Sequence, residues 1–266
     1  MERMTAKQGR CSSPIFLLSL VLMRFSGGML PLQMVMIQQE LSLSYRILAW
    51  LLLAEFVGLV LGSCWVAYTH VNLIQWWLLF LGGNLLTGLA RRAVGMLLAR
   101  LLIGAGRFQI ESAAFTDTVG KNLPQMVAKL AEYRLVSVIS TVVAPVLGAV
   151  LLVRRGVRDT AYIIAVIAFV FLLFILLLSQ KVRKTQPIWR DIACKGFNPD
   201  GLLWPLSLLV LFFHGIGIVA VAVIGISFLA LSGDLLLSGA IMSILQLCLL
   251  FCQAAFSLYS NKKHPV

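Results

Sequence analysis

Five charged side chains interrupt stretches of this sequence that are otherwise apolar: Arg24, Glu55, Arg100, Arg107 and Glu111. A charge in such surroundings is expensive, so it faces a partner, a cavity or water rather than hydrocarbon. With 3.6 residues per turn, Arg100, Gly104, Arg107 and Glu111 fall on one stripe of a helix. Arg107 and Glu111 are also four apart, the spacing of an intrahelical ion pair. Two chemistries fit such a stripe: ion pairs that pack helices together, or the lining of a path for a solute or a proton. Counted along straight spans, Arg24, Glu55 and Arg100 each lie roughly 10–15 Å below the outer surface, so they are expected to form one cluster. Glu55, a carboxylate in the outer half of its span, is the candidate to take and release a proton. Its alternative role is a static counter-ion for Arg24 or Arg100.

Other polar residues point to packing. Ser137, Thr141, Ala144 and Gly148 form a small-residue stripe that lets a neighbouring helix come close. Pro145, within that stripe, removes a ladder hydrogen bond and should bend the helix. Ser243, Gln246, Gln253 and Ser257 share a broad face that wants a protein partner. Asp234, His70 and His214 stand alone. The cysteines Cys11, Cys64, Cys194, Cys248 and Cys252 have no metal-ligand spacing and read as small apolar fillers. Since the sequence has no nucleotide loop, metal cluster or hydrolase triad, an enzyme is disfavoured, and neither cofactor nor metal is expected.

The elements that carry these residues follow from composition. Of the 266 residues, 60% are hydrophobic and 12% charged, and the mean hydropathy is +0.96. That departs from a soluble domain, which runs nearer half apolar and a quarter charged. A spanning helix needs about 20 mostly apolar residues. Spans are expected at 14–37, 47–68, 73–90, 93–115, 135–153, 160–179, 202–231 and 235–259, giving an all-α polytopic membrane protein of about eight transmembrane helices. The basic N-terminus followed by a long apolar run, without a clear cleavage site, reads as a retained first span. The net charge of +12 does not mark nucleic-acid binding, because the basic residues punctuate apolar runs as topology signals do. With the N-terminus inside, cytoplasmic segments hold thirteen Lys and Arg and external loops six, which favours N- and C-termini both in the cytoplasm. Three parts are expected: residues 1–180, a six-helix bundle; 181–201, a basic cytoplasmic linker with Pro187 and Pro199; and 202–266, two further helices.

A family resemblance enters through two segments. Leu97-Leu-Ala-Arg100-Leu-Leu-Ile-Gly104-Ala-Gly106 resembles the fourth-helix signature of the major facilitator superfamily, an Arg followed by Gly at four and six. Ser140-Thr-Val-Val-Ala144-Pro145-Val-Leu-Gly148-Ala149 resembles its fifth-helix antiporter motif, with Ala144 where the motif has Gly. Gly83-Asn84-Leu85-Leu86 and Leu123-Pro124 are similar to the drug, sugar and nucleoside efflux branch. The resemblance spans roughly residues 14–180. It departs at the loop between the second and third spans, which in the family carries Asp-Arg and further basic residues and supports gating. Here Thr69-His70 stands there and the loop has no Lys or Arg.

The resemblance implies two six-helix halves rocking around a central site lined by the first and fourth helices. Arg24, Arg100, Arg107 and Glu111 would line that site, with Arg100 central to coupling, and Gly104, Gly106, Pro145 and Gly148 would serve packing or hinge motion. After residue 180 the sequence has room for two of the six spans of a second half, so truncation is expected. The implied function is proton-coupled export of small organic solutes by a secondary transporter of a cell inner membrane, of antiporter type. The alternative is a non-transporting remnant, scaffold or partner subunit. Expected partners are the lipid bilayer, a small solute, protons, and a second copy or a chain supplying the missing half.

Overall fold

The computed structural model describes residues 13–68, 73–119, 123–182, 223–224, 227–228 and 231–263, which are helical apart from short turns and include no strand. The expected span 202–231 and linker 181–201 lie almost wholly outside the described residues, as do His70 and His214. The first expected span is two helices, α1 (Ser13–Gly28) and α2 (Leu30–Leu41), bent by 47° about Met29. The cause is local: Pro31 sits in the first turn of α2 and has no N–H to donate to Gly27. Met29 N–H still donates to Phe25, and Gln33 N–H to the Met29 carbonyl, so the bend is bridged rather than open. Ser42 in a left-handed conformation (φ 50°, ψ 42°) ends α2.

Next come α3 (Tyr45–Tyr68), α4 (Leu73–Leu89) and α5 (Ala93–Val119). Arg91 and Arg92 are exposed in the short turn between α4 and α5. Helix α6 covers Leu123–Val182, sixty residues. A straight helix of that length would run about 90 Å, far beyond one bilayer crossing of about 30 Å. It is broken at Gly156 (φ 73°, ψ 179°), a conformation that favours glycine, and the expected spans 135–153 and 160–179 fall one on each leg. Glu40, at the end of α2, accepts the Val157 N–H at 3.3 Å where the second leg begins. A carboxylate there complements the helix N-terminus and ties α2 to the break. The last described helix is α7 (Leu235–Lys263), which packs on α6.

Helix α5 is the hub: it lies against α3 and α4 along much of its length and touches α1 and α6. Trp77 of α4, fully buried, stacks on Phe171 of α6 at 5.6 Å. The α3–α5 contact is set by two glycines. A Cβ built on Gly58 would overlap the Leu101 carbonyl, and one on Gly104 would overlap the Glu55 carbonyl. Bare backbone against bare backbone is how apolar helices associate where no hydrophobic drive separates protein from lipid. Gly106 does the same against α4, where a Cβ would come 2.6 Å from the Trp76 carbonyl oxygen. Gly148 meets Met29, and the Pro145 carbonyl faces Gly239 of α7. All four residues expected to serve packing or hinging therefore sit at helix–helix contacts.

By length and composition, three segments among the described residues could cross a membrane: Tyr45–Gly62, Ala93–Glu111 and Glu132–Leu177, or four if the bent α1–α2 pair is one span. Helix α4 and the apolar part of α7 are shorter. Large apolar side chains, Trp50, Trp65, Val94 and Phe251 among them, stand exposed. That surface is compatible with a membrane protein. Gly104→Ala should lower the melting temperature in detergent, because over-packing costs about 1–3 kcal/mol. Gly82→Ala, with open space around it, should leave it unchanged or raise it slightly. Equal effects would refute the backbone contact.

Candidate functional site

Helix α5 lays Arg100, Arg107 and Glu111 along one side, and the close α3–α5 approach at Gly104 brings Glu55 of α3 beside them. One Glu55 oxygen, Oε1, is taken by Nη1 of Arg107. The other, Oε2, lies 3.6 Å from Nη1 of Arg100. This is too far for a hydrogen bond, so the second contact is an ion pair only. Arg100 instead donates through Nη2 to Oε1 of Gln33 on α2 at 3.0 Å. Further along α5, Glu111 pairs with Nη2 of Arg24 on α1 at 3.1 Å. Tyr133 of α6 lies beside Arg24. Gly27 keeps the space over Arg107 clear, since a Cβ there would come 3.0 Å from Nη1.

Burial is graded along this network. Arg100 is 2% exposed and Glu55 3%. The side chains of Arg107, Glu111 and Arg24 are 18%, 15% and 30% exposed. The network thus has a closed end at Arg100–Glu55–Gln33 and a partly open edge at Arg24–Glu111–Arg107. It holds three guanidiniums and two carboxylates, an excess of one positive charge. Arg100 Nε is buried and has no hydrogen-bond partner among the described residues.

The structure pairs all five charged residues, in two groups, Arg100–Glu55–Arg107 and Arg24–Glu111, through partners that sequence spacing does not supply. Arg107 and Glu111 do not pair with each other. Each reaches to another helix, Arg107 to α3 across the close approach at Gly104 and Glu111 to Arg24 of α1. Arg24 does not join Glu55 and Arg100 as depth counting suggested. That estimate assumed one straight first span, and the bend at Met29 removes its basis. Two members were not anticipated, Gln33 and Tyr133. Gln33 was findable, a polar residue within the apolar run of α2; Tyr133 carried no such mark.

Other polar groups are absorbed locally. Ser19, Asn84, Thr87, Ser140 and Thr141 each donate to the carbonyl four residues back. A groove of about 160 Å³ lined by Ile15, Leu18, Val170, Phe171 and Phe174 has no polar lining. Among the described residues no group of three His, Cys, Asp or Glu is placed to hold a metal ion. Neither any family model nor any curated protein matches this chain.

Gln33→Leu removes the acceptor of a buried guanidinium and should lower stability in detergent by about 1.5–3 kcal/mol. Gln39→Leu, exposed on the same helix, should stay within about 0.5 kcal/mol of the parent. Thermal melts of the two decide the matter; equal losses would remove Gln33 from the site.

Proposed function

We propose that the chain is a secondary active transporter of the major facilitator type, exporting small organic solutes across a cell inner membrane in exchange for protons. It crosses the membrane about eight times with both termini in the cytoplasm. The observation that carries this reading is Glu55, a buried carboxylate held between two guanidiniums of a neighbouring helix. A network whose charge state fixes how helices hold together is what proton coupling requires, and its partly open edge gives a solute a place to enter. The Arg100, Gly104 and Gly106 pattern supports the same assignment. The family's rocking motion needs an opposing half. A second copy or another chain would supply it.

A second reading, a structural membrane subunit, is favoured by one observation: each of the five charged side chains already has an ion-pair partner in the chain. Proteoliposomes separate the two. With a pH-sensitive dye inside, addition of small organic solutes should move protons in the parent. The single variant Arg107→Gln, which leaves Glu55 to pair with Arg100, should fold and carry no solute-driven proton movement. A well-folded, reconstituted parent that moves neither protons nor any solute of a broad panel would establish the structural reading.

A further inference from the structure

The charges of the Arg100–Glu55–Arg107 cluster do not balance, and among the described residues no further carboxylate pairs with it. Of the ten acidic residues, only Glu55 and Glu111 lie inside the apolar stretches that hold the three arginines; the other eight fall at or beyond the ends of such stretches. Residues 202–231 contain no Asp or Glu, so no carboxylate can come from that apolar segment. A guanidinium cannot relieve the excess by losing its proton. Gln33 offers Arg100 a neutral carbonyl oxygen at 3.0 Å where a charged acceptor would pair more strongly. The Nε of Arg100 is buried and without an acceptor among the described residues, and the nearby Oε2 of Glu55, 3.6 Å from Arg100 Nη1, makes no hydrogen bond there either, so this pair is held by charge alone.

We propose that the missing partner is the carboxylate of a small monoanionic organic solute, which enters at the partly open guanidiniums of Arg24 and Arg107 and is bound through the surplus positive charge that Arg100 and Arg107 hold over their shared Glu55. One excess positive charge calls for one negative charge, and a planar guanidinium matches a carboxylate with two parallel hydrogen bonds. This rests on the reading of the network as a solute site, and it narrows the solute to one carrying a carboxylate. Arg100 is enclosed in this structure, so full engagement requires the helices to part, as alternating access provides.

The test uses the full chain in nanodiscs of neutral phosphatidylcholine at fixed ionic strength. The probes are acetate, propanoate and benzoate, with the corresponding amides as uncharged counterparts. A ligand of the folded state raises the melting temperature in a saturable way. At least one carboxylate should do so, with its amide at least tenfold weaker. Gln33→Glu places a built-in carboxylate beside Arg100; it should melt higher than the parent without ligand and lose the carboxylate response at least tenfold. Because that variant is expected to gain stability, loss of response cannot be laid to misfolding.

A second set of nanodiscs containing phosphatidylglycerol distinguishes a lipid headgroup from a free solute. Stabilisation by that lipid together with no response to any carboxylate in either lipid would overturn the proposal. So would equal effects of acids and amides, or an undiminished response in Gln33→Glu. Carboxylate binding without flux in proteoliposomes would sink the transport reading and leave this site standing. Flux of uncharged or cationic solutes without carboxylate binding would do the reverse.

Discussion

A guanidinium keeps its charge wherever the chain puts it, and Arg100 is put among the buried residues of the described fold, 2% exposed. An unpaired charge at mid-bilayer depth costs about 2.5–3.5 kcal/mol on insertion scales, and removing one partner of a buried pair costs about 3–5 kcal/mol. The surroundings of Arg100 are therefore tightly constrained. Glu55 and Gln33 meet that constraint from two other helices, α3 and α2. Glu55 in turn serves Arg107, and the same helix carries Glu111 to Arg24 on α1. Placing α1, α2, α3 and α5 relative to one another is in this sense a problem of charge neutralisation.

The helices can solve that problem only if they come close enough. Glycine makes this possible: Gly58 and Gly104 let α3 and α5 touch backbone to backbone, one turn from both Arg100 and Arg107. The same carbonyl that Gly104 accommodates belongs to Glu55, so the closest approach and the shared carboxylate occur at one residue. Packing and chemistry are not separable there. A side chain at Gly104 would push Glu55 away from both its arginines, which explains why a spacing of Arg, Gly and Gly along one helix is informative about the site as well as the fold.

Much of the site was legible as residue identity and little of it as partnership. Charged residues inside apolar runs named Arg24, Glu55, Arg100, Arg107 and Glu111 without reference to any fold. The pairing was hidden because spacing along one helix speaks only of that helix: Arg107 and Glu111 are the right distance apart to pair, yet better-placed partners stand on α3 and α1. Gln33 was missed because an uncharged side chain raises no alarm in an apolar run. The helical class and the breaks near Arg91-Arg92 and Arg154–Arg158 were legible from composition. The bend at Met29 was not, although Pro31 was in view, because a single apolar run of the right length invites one straight span.

The claim on which the rest turns is that Arg107 is bound to Glu55 across two helices and not to Glu111 along one. Double-mutant cycles on melting in detergent measure it directly, with Arg107→Gln combined in turn with Glu55→Gln and Glu111→Gln. Residues in one ion-pair network couple by about 0.5–3 kcal/mol. The account predicts a coupling of at least about 1 kcal/mol for Arg107 with Glu55 and under about 0.5 kcal/mol for Arg107 with Glu111. Strong coupling of Arg107 with Glu111, and none with Glu55, would contradict it.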